Sequence, residues 1–163
     1  MKAEFMTEKE IAFTIRKLSE DERQAALDLA WIVFSEYESP DYSEEGTEEF
    51  RKCLHDEEYL HGIDYYGAFD GQKLIGLIGI RTELEHICFF FVGGQYHRKG
   101  IGTKMFDYLL ENYKGNNITV NSSTYGLGFY KKLGFVPTEE EKTINGIRFT
   151  PMIYERESNG SDL

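Results

Sequence analysis

Apolar positions along the chain recur with two periods, and the switches between them mark out the elements. Phe13-Thr14-Ile15-Arg16-Lys17-Leu18 alternates apolar and polar residues, which predicts a half-buried strand. Ser19 and Glu22 then form a capping box, whose side chains satisfy backbone N–H groups left open at a helix start. Leu27, Leu29, Ala30, Ile32, Val33 and Phe34 continue that helix, with Trp31 read as core or groove lining. Ser39-Pro40-Asp41-Tyr42-Ser43 breaks it, and Ser43 opens a second helix reaching about Leu54. Asp64–Phe69 and Lys73–Arg81 read as two antiparallel strands joined by a tight turn at Asp70-Gly71. Glu85–Val92 is the next strand, Gly100 to about Tyr113 a helix, Asn117–Asn121 a strand and Gly126–Leu133 a short helix. Phe135-Val136 opens a further strand, and Ile147–Tyr154, after a turn at Asn145-Gly146, closes the sheet. A strand-loop-helix crossover separates Glu85–Val92 from Asn117–Asn121, so these two should run parallel. The pattern predicts an α/β domain: a mixed, mostly antiparallel sheet with helices on its faces.

Length fits one domain, since 163 residues suffice for a single substantial core, here about residues 13 to 155. Residues 1–10 and 158–163 are polar and give no packing signal, the first ten reading as frayed, with Met6 as a second start. Hydrophobic residues make up 40% of the chain and charged residues 29%, with no apolar run of membrane-spanning length and no apolar leader near Met1. The expected location is the cytoplasm. Cys53 and Cys88 have no ligand cluster around them, which argues for reduced thiols rather than a disulfide or metal site. Lys plus Arg number 18 against 29 Asp plus Glu, a net charge of -11 that makes nucleic acid a poor partner.

Against that charge, one stretch is unusual. In Phe89-Phe90-Phe91-Val92-Gly93-Gly94-Gln95-Tyr96-His97-Arg98-Lys99-Gly100-Ile101-Gly102-Thr103, an apolar strand ends in a glycine turn, passes three basic or titratable residues and opens into a helix. Helix N-termini present unpaired N–H groups and partial positive charge, and glycines let a phosphate approach the backbone. The residues alone leave two readings open: an anion site, or an ordinary strand-to-helix turn with its cations in water. The spacing matches neither the three-glycine dinucleotide loop nor the Walker loop.

Read as Y-H-R-K-G-I-G, Tyr96–Gly102 resembles the pyrophosphate loop of the GNAT superfamily of N-acetyltransferases, [R/Q]-x-x-G-x-[G/A], with His97 standing where Arg or Gln is usual. Gly128-Phe129-Tyr130-Lys131-Lys132-Leu133-Gly134-Phe135 resembles the family's F-Y-x-x-L-G-F signature. The resemblance covers roughly residues 13 to 155. It implies acetyl-CoA as cosubstrate without a metal, an amine acceptor, and two splayed strands, Glu85–Val92 and Asn117–Asn121, with the pantetheine arm between them. It implies that the pyrophosphate lies against His97, Arg98, Lys99, Gly100, Ile101, Gly102 and Thr103, and that backbone groups of Phe91 and Val92 pair with the pantetheine. Asn121 either binds the coenzyme or satisfies a bulge.

Transfer from a thioester to an amine requires a neutral amine and a proton for the departing thiolate. An alkyl ammonium has a pKa of about 10.4 and must lose a proton before attack. Tyr130 matches the family's proton-donating tyrosine. The base position, counted back about eleven residues from His97, falls on His86 rather than a carboxylate, and an imidazole titrates suitably near neutrality. By the two-residue period His86, Cys88, Phe90 and Val92 share a face. Glu83, Glu85 and a water chain are the alternatives. His55 and His61 have no evident metal partners. Glu36, Glu38, Asp41, Glu44, Glu45, Glu48 and Glu49 concentrate at the junction of the first two helices, which in this family borders the acceptor. They suggest a cationic acceptor, a small amine or a protein amino group, or simply a solvated acidic face. A coenzyme-binding sensor or interaction module of the same fold is the alternative to an enzyme, and a homodimer is one option for assembly.

Overall fold

The structure, a computed structural model, describes residues 2–6 and 11–156; the polar tail at 158–163 lies outside them. Strands β1 (Ala3–Met6), β2 (Ala12–Lys17), β3 (Asp64–Asp70), β4 (Lys73–Arg81) and β5 (His86–Val92) form a continuous antiparallel run in the order of the chain. Strand β6 (Asn117–Ser122) lies parallel to β5, and beyond it come β9 (Ile147–Glu155) and β7 (Val136–Pro137), both antiparallel. Strand β8 (Lys142–Ile144) forms a hairpin with β9. The parallel pair is short. Only His86 opposite Thr119 and Ile87 opposite Val120 are in register, after which β5 and β6 diverge.

Helices cover both faces. On one, α1 (Arg23–Val33) and α2 (Glu44–Cys53) bury Ala26, Leu27, Ala30, Val33, Phe34 and Leu54 against Leu77, Phe89 and Phe91. On the other, α4 (Ile101–Asn112) and α5 (Leu127–Leu133) bury Ile101, Met105, Phe106, Leu109 and Tyr130 against Ile78, Ile80, Ile118 and Val120. Each such aliphatic or aromatic side chain removed from water contributes about 1.5–3 kcal/mol, so both helix layers are fixed by their apolar stripes.

The capping box forms as expected, with Glu22 accepting from Ser19 N–H at 3.0 Å and Arg16 gripping the same carboxylate at 2.7 Å. Its first turn is a 3-10 turn, Glu20–Glu22, before α1 proper. Three elements were not expected. Ala3–Met6 is a strand, not frayed chain, because Ala3 and Phe5 pack on the β2 face and Phe5 stacks on Phe13 at 5.4 Å. A short helix α3 (Glu57–Leu60) is capped by the Asp56 carboxylate accepting from Tyr59 N–H. Strand β8 has no apolar alternation to announce it.

A bulge in β5 corrects the expected face assignment. Gly79 opposes Phe89 but Ile80 opposes Ile87, leaving Cys88 as the extra residue. Phe90 and Val92 therefore pack with Ile87 toward α4 and α5, while Cys88 packs on the opposite cluster with Phe89 and Phe91. His86 and Cys88 do not share a face with Phe90 and Val92.

Candidate active site

Where β5 and β6 part, the sheet is open, and a cleft of about 1250 Å³ passes between the α1–α2 side and the α4–α5 side. One of its walls is the start of α4. Gly100 caps that helix at φ 81°, a left-handed conformation that glycine adopts without strain, and nothing lies within 4 Å of where a Cβ would sit. The first helical bond runs from Lys104 N–H to Gly100 C=O, so the N–H groups of Ile101, Gly102 and Thr103 lack a partner within the helix. Arg98, Thr103 and Lys104 also line the cleft; Lys99 does not. The Ile101 side chain is core, 1% exposed, and offers only its backbone.

Gly102 has a different reason from the one its motif suggests. A Cβ there would sit 2.8 Å from the Phe129 ring of α5, so this glycine admits a neighbouring helix rather than opening space for a ligand.

Strand β5 lends the gap its free edge. Gly93 N–H donates to Ile75 C=O on β4, and by alternation the polar groups of Phe91 also face β4 while those of Phe90 and Val92 face the gap. Val92 C=O accepts a bond from His97 Nε2 at 2.5 Å, which puts the proton on that nitrogen and leaves Nδ1 to accept from the Tyr125 hydroxyl at 3.3 Å. The His97 ring also lies 4.6 Å from that of Tyr37. His97 thus ties the loop to the gap edge, and its ring is engaged by protein groups. On β6, Asn121 lies in a ladder without register shift, so there is no bulge for it to satisfy, and it is exposed along the cleft.

Tyr130 reaches the cleft from α5, between Phe90, Phe129 and Phe135 with ring centroids 5.3–6.1 Å away. Burial, and then the negative charge of Glu38, push its phenol pKa far up. Glu38 comes from the far side of the sheet. After Val33 the helix widens into a π turn, Phe34–Glu38, closed by Ser39 N–H bonding Phe34 C=O, and this turn delivers Glu38 to the cleft beside Phe34 and Tyr42. Burial raises the Glu38 carboxyl to about 7 against one opposing contact, a hydrogen bond from Ser123.

His86 lies at the apex of the gap. Its Nδ1 is 2.8 Å from Thr119 Oγ1, and burial, followed by nearby Arg81, lowers its pKa. Of the acidic group, Glu38 and Glu49 line the cleft; Glu36, Asp41, Glu44, Glu45 and Glu48 are exposed, Glu48 in an ion pair with Arg51. Among the described residues no group of three or more His, Cys, Asp or Glu could hold a metal, and no helix is long and apolar enough to cross a membrane. The sequence reading missed Glu38 as an interior group and Lys104 as a cleft residue.

A splayed parallel pair, an open helix N-terminus at one end of the gap, and a buried phenol with a half-buried carboxyl line one cleft. The chain belongs to the GNAT acetyltransferase domain family, whose model matches residues 38–156. It is an acyltransferase using acetyl-CoA. It is 28% identical over 144 residues to a candidate acetyltransferase of Bacillus subtilis strain 168, covering 86% of this chain and 94% of that one. A GCN5-related N-acetyltransferase structure from Rhodopseudomonas palustris superposes with TM-score 0.74 at 20% identity, covering 94% and 98% of the two chains. The PaiA N-acetyltransferase of Thermoplasma acidophilum, solved with coenzyme A, gives 0.67 at 22% identity over 88% and 98%.

Proposed function

We propose that this enzyme transfers the acetyl group of acetyl-CoA directly to a cationic primary amine, a small molecule or an exposed protein amino group, in the cytoplasm. The observation that carries the reading is the opening through the sheet, which places Tyr130 and the start of α4 along one cleft. In this reading the unpaired N–H groups of Ile101, Gly102 and Thr103, with Arg98 and Lys104, hold the pyrophosphate. The gap-facing groups of Phe90 and Val92 take the pantetheine amides as an added strand, and His97 yields the Val92 carbonyl as the arm enters. Asn121 contacts the arm from β6. Tyr130 protonates the departing sulfur: its strongly raised pKa keeps it protonated at neutral pH, and a developing thiolate beside it is the charge that draws the proton off. Glu49 and the exposed Glu36, Asp41, Glu44 and Glu45 supply negative potential on the acceptor side, felt over a Debye length of roughly 8 Å.

The test is thiol release from acetyl-CoA in the presence of primary amines of increasing charge. Amine-stimulated release that grows with acceptor charge at low salt is expected. Coenzyme binding with no acceptor-dependent release would show a sensor instead. Glu49→Gln should lower kcat/KM more for a diamine than for a monoamine, and an equal loss for both would remove electrostatic selection.

A further inference from the structure

The interior of this cleft holds two ionisable groups that the sheet would ordinarily keep apart. Glu38 descends from the α1 side and Tyr130 rises from the α5 side, and both line the cleft left by the diverging strands. The Glu38 charge, after burial, helps raise the Tyr130 phenol. No cation pairs with Glu38 among the described residues: its surroundings are Phe34, Tyr42, Ser123 and Tyr130, and no ion pair forms there. A carboxylate set among aromatic rings with one hydroxyl donor is costly to keep charged, and a π turn is spent on placing it there.

We infer that Glu38, not His86, is the general base that takes the proton from the acceptor ammonium. This rests on the proposed amine transfer. The inference follows from position: the π turn brings Glu38 into the wall of the cleft that Tyr130 also lines, whereas His86 lies back where β5 and β6 are still paired. The carboxylate removes one proton from the ammonium, and the neutral nitrogen then attacks the thioester carbonyl carbon. As the C–S bond breaks, the sulfur takes the Tyr130 proton. Tyr130 regains one from the amide nitrogen, and Glu38 returns its proton to solvent. One proton is released per amide and thiol formed. The raised affinity of the Glu38 carboxyl for protons, at about 7, makes it a stronger base than an ordinary glutamate while leaving it substantially ionised at neutral pH. The groups facing it are Tyr42 and Tyr130, both with pKa values pushed up and uncharged here; Arg148, Asp41 and Glu141 act on Tyr42 from further out. A pair of titratable groups driven apart in this manner separates the acid role from the base role.

The experiment compares wild type, Glu38→Gln and His86→Ala with an alkylamine of pKa near 10 and a small amine of pKa below about 6, which needs no base at neutral pH. Coenzyme A affinity serves as the folding control. Glu38→Gln should bind coenzyme normally, lose about 10²-fold or more in kcat with the alkylamine, lose under about tenfold with the weakly basic amine, and lack the acidic limb near pH 7 in kcat/KM. His86→Ala should keep that limb. Equal losses for both amines, a limb retained in Glu38→Gln, or a limb lost in His86→Ala overturns the assignment. If Glu38→Gln fails to bind coenzyme, the wild-type profile decides alone: no acidic limb near pH 7 overturns it. Absence of amine-stimulated turnover in wild type would instead defeat the transfer reading, and the two failures are distinct.

Discussion

A carboxyl group that prefers its proton leaves a mark on folding as well as on rate. Glu38 ionises at an ordinary 4.5 when the chain is unfolded and at about 7 when folded, so between those values the native state binds more protons than the unfolded one. Stability from this group is full below about 4.5 and is lost as pH rises through about 7. Urea titrations of wild type and Glu38→Gln should therefore show the variant gaining on the wild type at about pH 8 relative to about pH 5, and a constant difference would mean Glu38 is not raised. Tyr130→Phe should keep coenzyme affinity and lower kcat by about 10²-fold, because it deletes a proton needed as the thiolate leaves. Undiminished kcat would make Tyr130 a packing residue. Residue by residue, the sequence singled out Tyr130, inside a dense motif, and the α4 loop, by its glycine spacing, and both line the cleft. It did not reveal Glu38, because an acidic residue just before a helix-breaking Ser39-Pro40 looks solvated, and only the π turn turns it inward.

The elements were legible where a period ran long enough to read. Strands β2 to β6, both faces of α1 and α4, and the parallel direction of β5 and β6 all follow from apolar spacing and from the crossover between them. What failed depended on tertiary pairing: β1 and β8 owe their existence to a partner strand, and the Cys88 bulge shifts the side-chain alternation of β5 without any local composition to mark it. The two glycines of the loop illustrate how one motif can hold two physical causes. Gly100→Val would strain a backbone at φ 81° and project branches into the cleft, so coenzyme Kd should rise at least tenfold, measured by titration calorimetry on folded protein. Gly102→Ala would collide with Phe129 and should destabilise the fold by about 1–3 kcal/mol. Phe129→Leu should recover part of that loss, and additive losses in the double variant would show that the two residues do not touch.

At the scale of the whole molecule, the nine strands of the described residues divide into a five-stranded part, β1 to β5, and a smaller part built on β6, β9, β7 and β8, joined within the sheet by two residue pairs. A ligand bonding to both sides of the gap stabilises the folded state by mass action, about 2.7 kcal/mol at a hundred times its Kd. Coenzyme A should thus raise the melting temperature by roughly 5–10 °C for a chain of this size, and no rise at saturation would count against binding in the gap. The same division makes the sheet resemble a notched plate. In such a plate, load collects at the tip of the notch, and the tip here is Ile87 opposite Val120, with the hydrogen bond between His86 and Thr119 directly behind it. His86 then matters as a crack stop: His86→Ala and Thr119→Val should each lower the melting temperature by a few degrees, consistent with about 1 kcal/mol for a lost bond, and should let the two parts of the sheet spread further from that point.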